Sequence, residues 1–256
     1  MPIPSALVHR IFNWRLPQDA AQHGTALDHH LLLNLWIALA LLILAHIALF
    51  VGLALRRRTT TSAAHWRWEV LPLLAIALLF IALSIKAERL WASQRYAGAD
   101  PAALQVEITG MQFAWYFRYP GTDARFGQTS STLVDAGAGN ALGIGPSDDA
   151  GKDDLVSSEL VLPIDHEIDL RIVSQDVIHG FFVPEMRLKQ NAIPGQTFHI
   201  HFTPTREGSY AILCSQVCGL GHHRMLATMR IVSQQQFAQW LATKAATQTE
   251  VKAGAR

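Results

Sequence analysis

Residues Leu31 to Leu55 form a run of 25 residues interrupted only by Asn34, His46 and Gly52. As a helix rising about 1.5 Å per residue it would reach roughly 37 Å, enough to cross the apolar core of a bilayer. A cleaved secretory leader is the rival reading. The run begins too far into the chain for one, is too long, and ends in Arg56, Arg57 and Arg58 without a small-residue cleavage site. A second run, Val70 to Ile85, is shorter, but Lys86 can extend its stem to the interface and the apolar face continues through Leu90 and Trp91. Helices are therefore predicted over residues 31–55 and 69–91. Trp66, Trp68 and Trp91 stand where an interfacial aromatic belt belongs, and Arg56, Arg57, Arg58 and Arg67 assign the intervening loop to the cytoplasm. Both termini then face the other side. A buried hairpin in a soluble bundle is the competing reading; half of the 256 residues are hydrophobic and only 16% charged, which favours the membrane.

Past residue 98 the pattern changes. Short runs rich in valine, isoleucine and aromatics, separated by proline, glycine and aspartate, cover 104–119, 160–163, 167–173, 181–183, 198–202, 210–214 and 226–232. Repeated short strands with turn signals predict a β-sandwich or barrel. Residues 121–158, rich in Gly, Asp and Ser, are expected to form a long surface excursion. Ser233 is placed to cap a short helix carrying Phe237, Trp240 and Leu241 as packing residues, and residues 246–256 are expected to be a flexible tail. The predicted units are thus residues 1–98 (N-terminal segment and transmembrane hairpin), 99–245 (β domain) and the tail.

Both cysteines of the chain lie in the segment Cys214-Ser-Gln-Val-Cys218-Gly-Leu-Gly-His222-His-Arg-Met225. Thiolate, imidazole and thioether are soft or borderline ligands that select copper or zinc over magnesium or calcium. Gly219 and Gly221 permit the turns of a compact loop. A disulfide, which would leave His222 and Met225 unexplained, a zinc site, for which thioether is a poor ligand, two buried structural cysteines and a copper site all compete for this segment. A further imidazole must come from elsewhere if two metals are bound. Ser174-Gln-Asp-Val-Ile-His179-Gly-Phe-Phe-Val-Pro184 is the best source, with His179 at the end of a strand-like run. His199 and His201 alternate along a strand and read as surface histidines.

With these stretches in view the chain resembles subunit II of cytochrome c oxidase, the subunit that carries the dinuclear copper A centre. Gly110-Met-Gln-Phe-Ala-Trp115-Tyr-Phe, Glu159-Leu-Val-Leu-Pro163, Asp176-Val-Ile-His179, Ala192-Ile-Pro-Gly195, Gly208-Ser-Tyr210 and the metal loop follow the family's order, behind two hydrophobic segments. The resemblance implies a two-helix transmembrane hairpin followed by an all-β cupredoxin-like Greek-key sandwich. It further implies that Cys214 and Cys218 bridge two coppers, that His179 and His222 each bind one, and that Met225 sulfur and the Gln216 carbonyl are weak outer ligands. One electron shared over two sulfur-bridged metals alters bond lengths little, and a filled coordination shell leaves no substrate position. Such a chain relays electrons, while oxygen reduction belongs to a partner.

The implied partners are subunit I and other oxidase subunits, the membrane, and cytochrome c as electron donor; no nucleic acid is expected. Residues 99–256 hold 16 Asp and Glu against 12 Lys and Arg, with eight acids and one Lys between Asp148 and Asp169. That field would speed encounter with a basic donor, or is merely a solvated loop. Phe113 and Trp115 correspond to the aromatic cluster where electrons arrive, although relatives often carry tryptophan at the position of Phe113; Trp115 is either an exposed contact or core. Relatives usually carry glutamate at Gln216, where it helps bind magnesium at the contact with subunit I. An amide is a weaker magnesium ligand, so that ion is doubtful here. His65 stands where relatives have a proton-pathway glutamate, and Glu69 is a possible substitute. The Ala, Leu and Arg bias points to a bacterium, hence to the inner membrane with a periplasmic copper domain; the mitochondrial equivalent is the intermembrane space. The alternative function is a membrane-tethered copper-binding or delivery module. A quinol oxidase subunit shares the architecture but typically lacks the copper ligands.

Overall fold

The computed structural model describes residues 16–55, 66–145 and 148–254. His65 and the arginines at 56–58 lie outside them. The chain divides into two compact units, one made of residues 25–98 and the other of the β-rich remainder.

The first unit holds helices α1 (Gly24–Leu55) and α2 (Trp66–Arg95), both long and apolar enough to cross a membrane. Each is longer than the predicted 31–55 and 69–91, because polar flanking residues continue the helix once it has been nucleated by the apolar run. Large side chains such as Leu44, Phe50, Leu73 and Phe80 project outward from them. The polar interruptions in α1 are satisfied along the helix itself. Asn34 Nδ2 donates to the His30 carbonyl at 2.8 Å and His46 Nδ1 to the Leu42 carbonyl at 2.8 Å. Local bonds of this kind make an amide and an imidazole tolerable in an apolar span.

The second unit is a sandwich of two five-stranded sheets. One contains β1 (Leu104–Met111), β2 (Ala114–Tyr119), β3 (Leu155–Ser157), β5 (Ile168–Ser174) and β8 (Phe198–Phe202), in the order β3-β2-β1-β5-β8. The other contains β4 (Leu160–Pro163), β6 (His179–Val183), β7 (Leu188–Ala192), β9 (Gly208–Cys214) and β10 (Leu226–Val232), in the order β4-β10-β9-β6-β7. Most pairings are antiparallel, but β1 runs parallel to β5 and β4 parallel to β10, as the chain crosses repeatedly between layers. Period-two alternation sets the inner faces: Ile168, Leu170 and Ile172 on β5, and Trp115, Phe117 and Tyr119 on β2, meet Leu160, Leu162, Phe181, Ile212 and Ile231 of the facing sheet. Each such side chain contributes about 1.5–3 kcal/mol on burial.

Tyr119 ties the layers. Its hydroxyl donates to the Val161 carbonyl at 2.9 Å and accepts from the Val161 N–H at 2.8 Å. Burial pushes this phenol far above its ordinary pKa. Its ring also packs on Phe237 and Trp240 of helix α3 (Gln234–Gly254). The predicted flexible tail is a correction. The helix continues to Gly254, and Gln248 Nε2 donates to the Asp154 carbonyl at 2.8 Å, beside β3.

The predicted first unit needs a second correction. Residues 16–24 belong with the sandwich rather than with the helices. Ala20 and Ala21 are buried in its core, the Ala20 N–H donates to Glu185 O, the Gln22 N–H to Thr203 O, and the Thr205 N–H to Ala20 O.

The excursion after β2 folds over the outer face of the first sheet, where it covers a buried charge cluster. Arg118 donates to Glu107 Oε1 through Nε and Nη2 at 2.9 and 2.6 Å, and through Nη1 to Asp154 Oδ2 at 3.0 Å and the Gly127 carbonyl at 2.8 Å. Phe126 lies against the guanidinium, 4.9 Å from ring centroid to Cζ. Burial raises the Asp154 carboxyl pKa even though the Gly127 N–H and Arg118 oppose it.

Candidate metal centre

The centre forms where three segments meet at one end of the sandwich. His179 opens β6, Cys214 closes β9, and the loop from Ser215 to Met225 returns to β10 through a 3-10 turn at His222–Arg224. β6 and β9 are hydrogen-bonded neighbours, with Phe181 opposite Cys214, so the sheet register itself brings the imidazole to the first thiol. The Ser215 N–H donates to the Gly180 carbonyl at 2.8 Å and extends that contact into the loop.

The ligand-type atoms converge. One ligating atom from each of His179, Cys214 and Cys218 lies within 4.8 Å of the others. Cys214 Sγ is 3.8 Å from Cys218 Sγ, which in turn is 3.7 Å from His222 Nδ1 and 3.7 Å from Met225 Sδ. Cys214 Sγ stands 3.2 Å from the Gln216 carbonyl oxygen. Both cysteines are free thiols, and their separation is far from the ~2.05 Å of a disulfide.

His179 is fully buried and its ring is oriented from behind. Nε2 donates to Asp176 Oδ1 at 2.7 Å, and this leaves the Nδ1 lone pair buried without a hydrogen-bond partner. A buried unpaired nitrogen is costly unless something outside the hydrogen-bond inventory satisfies it. Burial disfavours the ionised Asp176, yet N–H bonds from Gln112 and Val177, both at 2.7 Å, together with the His179 imidazole, outweigh it and hold the carboxyl below its ordinary pKa. Burial pushes the Cys218 thiol up to about 11, and the neighbouring Cys214 adds to the rise. A buried thiol such as that of Cys218 ionises readily only next to a cation. An orphaned imidazole nitrogen, two thiols, a second imidazole and a buried thioether together fit a soft or borderline transition ion.

The remaining predicted residues are distributed as follows. Gln216 has an exposed side chain, so only its carbonyl faces the sulfur cluster. Trp115 is only 2% exposed and packs edge-on against His179 and Phe181, with centroids 5.9 and 5.6 Å apart; of its two proposed readings, surface contact and core, it takes the core one. Phe113 is the exposed aromatic at the site and lies over Gly219 and Gly221. Glu69 sits exposed in the first turn of α2. His199 is exposed and paired with Asp169 at 3.1 Å.

Sequence reasoning missed Gln112, whose Nε2 donates to the Cys218 carbonyl at 2.6 Å, and Gly110, whose Cα is overhung by the His179 ring. It also gave Asp176 no role. The three-residue spacing to His179 was the available signal for Asp176, whereas Gln112 and Cys218 are 106 positions apart.

The chain is 36% identical over 141 residues to the alternative cytochrome c oxidase subunit 2 of Bradyrhizobium diazoefficiens, over 54% of this chain and 50% of that protein. It is 27% identical over 194 residues to cytochrome c oxidase subunit 2 of Cereibacter sphaeroides, over 72% of this chain and 62% of the relative. The chain thus spans about half to three-fifths of the length of these curated relatives. Among solved structures it is similar to the periplasmic domain of subunit II of cytochrome oxidase of Bradyrhizobium japonicum, with 26% identity, a TM-score of 0.44, and coverage of 59% of this chain and 99% of that one. Residues 104–234 match the family described as cytochrome C oxidase subunit II, periplasmic domain. That match covers just over half of the chain, and with the two apolar helices and the sandwich it establishes that the chain belongs to the cytochrome c oxidase subunit II family.

Proposed function

We propose that this chain is the electron-accepting subunit of a haem-copper oxidase, taking electrons singly from cytochrome c at a dinuclear copper A centre and passing them to haem in subunit I. Two observations carry the reading: a ring nitrogen of His179 converges with both thiols, and Nδ1 of that ring is buried without a hydrogen-bond partner. When bound, the copper pair supplies a one-electron carrier. Cys214 and Cys218 would hold the pair through their thiolates and His179 and His222 through their imidazoles, with Met225 Sδ and the Gln216 carbonyl as weaker donors. The protein's own part is to hold these donors fixed: Asp176 fixes the His179 ring, and burial of Cys218 and Met225 excludes water. A rigid, dry shell keeps reorganisation small on gain and loss of an electron.

Val217 and Leu220 stand out from the loop, 78% and 98% exposed, and the exposed ring of Phe113 lies over Gly219 and Gly221. This apolar rim is the surface through which we expect electrons to arrive or depart. The helices would anchor the chain in a bacterial inner membrane with both termini and the sandwich in the periplasm. Gln216 argues against magnesium binding. A proton-uptake role is proposed for His65 or Glu69. A copper-delivery module, the competing function, needs an exposed, exchangeable site, whereas His179 and Cys218 are buried.

Loading the full-length, detergent-solubilised chain with copper and counting metal per chain tests the reading. Two coppers with a mixed-valence electron paramagnetic resonance signal are expected. One copper per chain, or preferential retention of zinc, would refute it. Cys218→Ser should abolish the two-copper signal.

A further inference from the structure

Resting on the reading of this loop as a metal centre, the geometry points to Gln112 as a positioning residue that clamps the two ligand-bearing halves of the site together before any metal arrives. Gln112 lies in the tight turn between β1 and β2 and supplies no ligand atom, yet it bonds to both halves. Its main-chain N–H donates to Asp176 Oδ2 at 2.7 Å, and the other oxygen of that carboxylate accepts from His179. Its side-chain Nε2 donates to the Cys218 carbonyl at 2.6 Å. One residue therefore links the orientation of the imidazole to the backbone that carries the second thiol.

The loop is shaped to receive this turn. Gly219 has φ +142, a conformation that side chains rarely adopt, and a Cβ there would lie 2.9 Å from Gln112 Nε2 and 3.1 Å from the Phe113 ring. A Cβ on Gly221 would overlap the Phe113 ring itself. The two glycines form a seat for residues 112 and 113. A loop ordered by this seat has already met the entropy cost of closure during folding, so the metal need not order it, and bound metal is retained longer.

The test uses Gln112→Glu, which keeps the backbone N–H and side-chain size but removes the donor, and Gln112→Met, which removes it without adding charge. Circular dichroism checks that both full-length variants are folded. In the metal-free chain, amide hydrogen exchange across residues 215–224 is expected to quicken in both variants. In the copper-loaded chain, both are expected to release metal to excess chelator about tenfold faster or more than the parent, with an altered paramagnetic resonance spectrum. Loop exchange indistinguishable from the parent would overturn the clamp whether or not copper binds. A parent chain that takes up no copper pair would instead refute the metal assignment and leave the exchange measurement to decide the clamp.

Discussion

The imidazole of His179 meets the indole of Trp115 edge to face, with ring centroids 5.9 Å apart, and both rings close over Gly110. A methyl on Gly110 would fall 2.9 Å from His179 Cδ2 and 3.1 Å from Trp115 Cζ3, closer than carbon atoms approach without displacement. Gly110→Ala is therefore expected to destabilise the sandwich by about 1–3 kcal/mol through overpacking and to reduce metal retention. Urea unfolding and metal analysis of the same preparation check both effects.

Asp176 holds the ring of His179 by its far nitrogen. Asp176→Ala removes that partner and frees the ring to rotate while leaving all six candidate donors in the chain. Metal affinity is expected to fall by about 10–100-fold in competition with a chelator, with two titratable thiols retained in the metal-free variant.

Arg118 bridges Glu107 and Asp154 beneath the excursion, with all three side chains at most 5% exposed. Arg118→Met leaves the buried Asp154 carboxylate without its cation and Glu107 with only Arg171, 3.2 Å away, and is expected to cost about 3–5 kcal/mol in equilibrium unfolding. Arg118 points to the opposite face of β2 from Trp115, so the metal content of the folded fraction should be unchanged.

Tyr119→Phe keeps the ring packing on Phe237 and Trp240 and deletes only the hydroxyl that serves both the N–H and the C=O of Val161. Leaving those buried groups unpaired is expected to cost about 1–3 kcal/mol, read as a lower denaturant midpoint. Tyr119→Leu should cost more, since the ring contacts go as well.

Reading the sequence succeeded where the signal is local. Alternation in Ile168-Asp-Leu170-Arg-Ile172 predicts a strand with one buried face, and the structure shows that face in the core. Gly219 and Gly221 predict a compact loop after Cys214, and the structure brings Cys214, His222 and Met225 within 3.8 Å of Cys218 Sγ; metal binding by these groups is proposed. The aromatic run from Phe113 to Phe117 was ambiguous because alternation fixes which residues share a face but not which face is covered; packing buries Trp115 and leaves Phe113 outside.

By itself the sequence determined the two apolar helices, the short alternating strands and the grouping of soft side chains in the 214–225 loop, because each is a property of side chains near one another along the chain. Only the tertiary structure decided that residues 16–24 join the sandwich through Glu185 and Thr203, that Gln248 reaches Asp154, and that Gln112 grips the Cys218 carbonyl. These bonds join groups far apart in the chain, and a main-chain N–H or carbonyl carries no residue-specific mark of its partner. Which distant carbonyl a donor meets is set by strand order and crossover, and those follow from the packing of the whole core.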